Sequence, residues 1–280
     1  VPIDPGIHRI LVPVDLEDGS NRVFAHGLKL ALCTGAALTA VHVRTDPDHT
    51  VDWTGMPSAL DYLVDWGLLP AGSTEADVPS LELDVERDDR VDRNAELGIV
   101  RAVIERIPNI IVLGTEGRTG WERLRQGSVS EAIARRSGAV TLFLPQDVPG
   151  FVDRATGTVK IRRVLFPVGG KAGELQHAVD VLEAFLDVLG VRAAEIEQFH
   201  AGERSVPALR LPDRAGWTWK QQVRKGDVVD GIVDAMNNSR PDLIVMATRG
   251  HDSLADAIRG SKTEQVIRRA TCPVLAVPLG

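Results

Sequence analysis

Residues 114–128 read GTEGRTGWERLRQGS, with glycines and a serine at the spacing G-x2-G-x9-G-S. Gly114 ends the apolar run IIVLG, which reads as a buried strand; without a Cβ it lets a ligand approach the backbone, and Gly117 can take a positive φ to turn the chain. Gly127-Ser128 opens a helical pattern. The first amides of a helix are unpaired and that end of its dipole is positive, so an anion is welcome there. This is chemistry suited to a phosphate chain. The same serine begins a capping box, Ser128-x-x-Glu131, which starts a helix without any ligand, so both readings of Gly127-Ser128 stand. Asp15, at the end of ILVPV, is a second candidate: its carboxylate can accept from a ribose or a base, or it can cap the turn before a helix from Ser20. Arg118, Arg123 and Arg125 offer charge to phosphates or form a solvated helix face.

Other chemistry is thin. His42 and His200 each close a strand, where a strand-end hydrogen bond is a commoner role than metal ligation. Cys33 and Cys272 lie far apart with no metal or CxxC spacing, and Cys272 before Pro273 reads as a small buried hydrophobe. The chain shows no Ser-His-Asp order, nucleophile elbow, HExxH or Walker A sequence. The residues after the first strand, DLEDGSN, also lack an SGGxDS-like loop that would grip pyrophosphate. A binding module is therefore expected rather than an enzyme, with a slow ATP hydrolase as the alternative and a tandem scaffold for another small molecule as a third reading.

The elements that must position these residues are written twice. IPNIIVLGT (107–115) matches RPDLIVMAT (240–248), and a constant offset carries on through Gly127/Gly260, Ser128/Ser261, Glu131/Glu264, Leu142/Leu275 and Pro145/Pro278. The starts match too, RILVPVD (9–15) against RVLFPVG (163–169), at a longer offset, so the first copy has extra residues, expected within 45–80. Two long copies mean a duplicated domain. In the first copy ILVPV, ALTAVHV, SLELDVE, IIVLG and AVTLFL read as buried strands, and helical patterns lie at 20–32, 57–69, 93–106 and 128–136. Alternating strands and helices imply two tandem doubly wound α/β domains, each a five-stranded parallel sheet with helices on both faces, over residues 1–148 and 160–280 with a linker near 146–160. Ligands of such sheets sit at the carboxyl ends of the strands, where Asp15 and Gly114 fall. The second copy has Gly169 for Asp15 and Ala247 for Gly114. Because alanine fits the second copy, Gly114→Ala is expected to leave stability almost unchanged.

Composition narrows the class. The 280 residues are 44% hydrophobic and 25% charged, enough for full cores. A formal charge of −7 with no Lys/Arg-rich run argues against a nucleic-acid partner. No signal-peptide pattern or apolar run of membrane-spanning length occurs, so a cytoplasmic location with reduced thiols and no membrane partner is expected.

PVD after the first strand, followed by G-x2-G-x9-G-S after the fourth, a short helix and a Val/Leu-rich last strand, resembles the universal stress protein family in its tandem two-domain form. The resemblance implies strand order 3-2-1-4-5 and ATP, with any Mg²⁺ belonging to the bound nucleotide, in the crevice between strands 1 and 4. It implies that Val14, Asp15 and Val43 surround adenine and ribose and that Leu113 and Gly114 lie against the nucleoside. Gly117, Arg118, Gly127, Ser128, Val129 and Ser130 would hold the phosphates. It further implies that AVTLFL and CPVLAV meet antiparallel, so that one chain forms an intramolecular pseudo-dimer, with a homodimer of chains as a further expectation. Gly169 and Ala247 depart from the pattern, which points to an adenine nucleotide in the N-terminal half alone.

Overall fold

The computed structural model describes residues 6–48, 50–115, 139–145, 148–169, 172–202, 206–249 and 262–279. Its strands are β1 (Arg9–Pro13), β2 (Ala37–Arg44), β3 (Val85–Val91), β4 (Ile110–Thr115), β5 (Val140–Pro145), β6 (Arg163–Pro167), β7 (Ala194–Ala201), β8 (Trp217–Arg224), β9 (Leu243–Arg249) and β10 (Val274–Leu279). Among the described residues the helices are α1 (Asp18–Thr34), α2 (Ala59–Asp65), α3 (Ala95–Arg106), α4 (Ala172–Val188), α5 (Val228–Ser239) and α6 (Lys262–Arg269). Among the described residues ten strands form one sheet in the order β3-β2-β1-β4-β5-β10-β9-β6-β7-β8. Each half therefore has the expected order 3-2-1-4-5, parallel throughout.

The halves join where β5 meets β10 antiparallel, with Leu142 opposite Leu275 and Phe143 opposite Val274. Leu142 and Leu275 are equivalent residues of the repeat, so a local twofold axis passes through that pair. The helices α1 and α4 are also equivalent, touch each other, and belong to one apolar core that runs through both halves. Equivalent helices on one face, with strands reversed, place the axis perpendicular to the sheet. Among the described residues the opposite face carries two separate cores, one under α3 and one under α5 and α6.

The repeated sequence IPN/RPD is a turn that needs its residues. Ile107 and Arg240 end their helices in the left-handed region, each at φ 46°, with N–H bonds of 2.9 Å back to Val103 and Met236. The proline that follows cannot continue the helix. Asn109 Oδ1 then accepts from the His8 and Arg9 amides, and Asp242 Oδ2 from those of Arg162 and Arg163, so a side chain at the start of strand 4 fixes the start of strand 1 in both halves.

The third strand lies elsewhere than expected. SLELDVE does not form it; β3 is VERDDRV, an edge strand whose side chains mostly face solvent. Its charges pair with one another and with α3, as in Arg106–Glu86 and Arg90–Asp88, so apolar content was the wrong signal for a strand with one free edge. Leu81 and Leu83, read as strand residues, instead pack on the core from the connection before it. The surplus of the first copy is this connection, residues 45–84, against 202–216 in the second.

The segment between the halves is tightly held. Phe151 and Val152 are buried, and their amides both donate to Nε2 of His26, which is 0% exposed, at 3.1 Å. Phe151 lies edge-on to Phe185 of α4, and Arg22 donates to the Val148 carbonyl. Trp66, after α2, donates to Arg154 O and covers Gly157 so closely that a Cβ there would lie 2.5 Å from its ring.

Candidate functional site

At the carboxyl ends of β1 and β4 a cavity of about 340 Å³ opens between α1, α3 and the end of β2. Val14, Asp15, Val43, Leu113 and Gly114, all expected at the site, line it together. Gly117, Arg118, Gly127, Ser128, Val129 and Ser130 lie outside the described residues.

Parallel strands that diverge to helices on opposite faces create this crevice. Val43, Ile99 and Leu113 give it an apolar wall, backed by the core under α3. The wall is fixed by Gly98 of α3, where a Cβ would come within 2.4 Å of Val43. Asp15, Glu17, Glu96 and, from α1, Arg22 are the charged residues among its described lining.

Asp15 is held by its own turn. The Ser20 hydroxyl donates to Asp15 Oδ1 at 2.5 Å and accepts from the Asp15 amide at 2.9 Å, while the Glu17 amide donates to the same carboxylate oxygen at 3.0 Å. Leu16, at φ 64°, makes the sharp entry to α1. The capping role is thus realised, and it fixes the carboxylate at the cavity. By the repeat, Asp15 and Ser20 correspond to Gly169 and Glu174, so the second half has lost both members of the pair.

Gly114 is exposed at the cavity, yet its missing Cβ matters inside the protein too. A Cβ there would lie 3.0 Å from Val23 Cγ2 on α1, a residue 3% exposed. At Ala247 the position equivalent to Val23 is His177, which is exposed. Alanine in the second half therefore does not show that alanine fits the first, and the expectation of unchanged stability is revised.

His42 and His200 make the strand-end bond expected of them: Nδ1 of each meets the carbonyl of Val14 or Val168, at 3.0 and 2.8 Å. A carbonyl only accepts, so Nδ1 carries the proton in both rings. His42 also lines the cavity and meets Trp53 of the long connection edge-on at 6.2 Å, with Arg87 over the Trp53 ring. Sequence reasoning left out Ser20, Arg22, His42, Glu96 and Ile99 as cavity residues. The helical spacing Ser20, Val23 and Glu96, Ile99 was the available signal. Cys272 is buried, and desolvation pushes its thiol up to about 12, in keeping with a structural residue.

The model of the universal stress protein family matches residues 6–142 and 174–278. A universal stress protein from Synechocystis sp. is 24% identical over 174 residues, 60% of this chain and 57% of the relative. The chain thus spans little more than half of that relative's length. One from Methanocaldococcus jannaschii is 25% identical over 138 residues, 41% of this chain and 81% of the relative. The crystal structure of a universal stress protein from Archaeoglobus fulgidus shares the fold, with a TM-score of 0.58 at 17% identity over 97% of this chain and 98% of that one. A putative universal stress protein from Pseudomonas aeruginosa does so with a TM-score of 0.59 at 13% identity, over 98% and 94%.

Proposed function

The chain belongs to the universal stress protein family, and from that premise we propose that it is an ATP-binding stress-response or signalling module whose nucleotide occupies the N-terminal half. The observation that carries this reading is the cavity at the β1/β4 crevice, about 340 Å³ and lined by Val14, Asp15, Val43, Leu113 and Gly114. Its size suits a small-molecule site. The apolar wall of Val43, Ile99 and Leu113 suits a base, and Asp15, fixed by Ser20, suits a ribose hydroxyl. The phosphates would run toward residues 117–130, which carry the G-x9-G-S part of the glycine spacing.

Magnesium fits this reading as part of the nucleotide. Mg²⁺ would enter with the triphosphate. The protein would bind ATP as a signal and hydrolyse it slowly at most. No helix among the described residues is long and apolar enough to cross a membrane.

The test is to denature the purified full chain and identify released small molecules by mass spectrometry, with calorimetric titration of nucleotide-free protein beside it. An adenine nucleotide released, or ATP bound on titration, is the expected result. Protein that releases none and takes up none would overturn the reading.

A further inference from the structure

We propose that Arg22 is the residue by which the crevice distinguishes a phosphorylated nucleotide from its bare nucleoside, an inference that rests on the nucleotide reading above. Three carboxylates, Asp15, Glu17 and Glu96, line the cavity, and alone they would repel a polyphosphate. Among the described lining residues Arg22 is the one guanidinium or ammonium group. It is 8% exposed, so its charge acts where water screens weakly.

The position of the guanidinium is built. Arg22 sits on the first turns of α1, two residues beyond Ser20, which fixes Asp15. One nitrogen, Nη1, donates to the Val148 carbonyl at the start of the segment between the halves. That bond holds one end of the guanidinium, whose planar fork matches phosphate oxygens in a way that an ammonium does not. The segment bearing Val148 is itself fixed two and three residues later, where His26 accepts from Phe151 and Val152. The inter-half segment thus orients the cation of the N-terminal crevice. In the second half the equivalent of Arg22 is Gln176, which carries no charge and bonds Asp180 and Arg210 instead.

The experiment titrates the full chain, as wild type, Arg22→Gln and Arg22→Lys, with ATP and separately with adenosine. Arg22→Gln should bind ATP more weakly by about tenfold or more while adenosine stays within about twofold, and the salt dependence of ATP binding should fall. Arg22→Lys, which keeps the charge and loses the fork, should show a smaller loss for ATP and again none for adenosine. It also serves should Arg22→Gln fail to fold. Equal losses for ATP and adenosine would make Arg22 a packing residue, and unchanged ATP binding would remove it from the site; either overturns the assignment while leaving the nucleotide reading intact. Wild-type protein that binds neither ligand would instead overturn the nucleotide reading and this inference with it.

Discussion

Two single residues show how a side chain's surroundings decide what its replacement does. The Thr141 hydroxyl on β5 is fully buried, and Oγ1 has no hydrogen-bond partner among the described residues. The repeat places Val274, its near-isostere, at the equivalent position on β10. Thr141→Val removes an unsatisfied polar group without changing shape, so it should raise stability by about 1 kcal/mol, read as a higher urea midpoint; a lower midpoint would mean that the hydroxyl has a partner in solution. Gly114→Ala works in the opposite direction. Its methyl would crowd the cavity and press on Val23 at 3.0 Å, so ATP affinity should fall by about tenfold, about 1.4 kcal/mol. Stability should fall by about 1 kcal/mol through overpacking. Adding Val23→Ala should relieve the clash with α1 while leaving the binding defect; titration and chemical denaturation of both variants separate the two effects.

The helix α1 connects the site to the rest of the chain. Its first turns carry Ser20, Arg22 and Val23 at the cavity, and one turn later His26 holds the inter-half segment. The ring donates from Nδ1 to Arg22 O at 2.8 Å, so Nε2 accepts and the imidazole is neutral. Desolvation lowers its pKa from 6.5 to about 4. The unfolded chain therefore takes up this proton first as the pH falls. The contribution is present in full above about 6.5 and is lost between there and about 4, a change on the order of 3 kcal/mol. Denaturation midpoints should drop more between pH 7 and pH 5 for the wild type than for His26→Gln; parallel pH profiles would refute this. In the long connection, α2 is anchored, with Tyr62 Oη donating to Asn21 O and Trp66 covered by Lys29 and Gly157. Trp53 instead lies beside His42 at the cavity rim. ATP should thus change hydrogen exchange at residues 50–57 and leave α2 unaltered; identical exchange at 50–57 with and without nucleotide would reduce that segment to packing.

At the scale of the molecule, the twofold axis through Leu142 and Leu275 points the carboxyl ends of β1/β4 and β6/β9 toward opposite edges of the sheet. Any two ligand sites would be independent in position. They are not equivalent in chemistry, because Asp15, Ser20, Arg22 and Gly114 correspond to Gly169, Glu174, Gln176 and Ala247. Behind the crevice the cores are also filled differently. Val41 and Val43 of β2 correspond to Phe199 and Ala201 of β7, and Phe199 packs against Gly231, whose equivalent Gly98 packs against Val43. Calorimetric titration should therefore find one ATP per chain; two equivalent sites would show that Asp15 and Gly114 do not decide binding.

What the sequence by itself determined was whatever depends on local pattern or on the repeat. The apolar runs of β1, β2, β4 and β5 announced buried strands because a central parallel strand must be apolar on both faces. The duplicated spacing announced two copies of one fold, and Asp15 and Gly114 stood out because only one copy has them. The edge strand β3 stayed hidden, since a strand paired on one side is free to carry charges and gives no apolar signal. Tertiary structure alone decided contacts between residues far apart in the chain: His26 with Phe151 and Val152, Arg22 with Val148, Trp53 with His42, and Val23 facing Gly114. Each depends on which faces of α1, of the long connection and of the inter-half segment meet. Periodicity says that a helix has a buried face, but the identity of the neighbour against that face is set by the packing of the whole sheet.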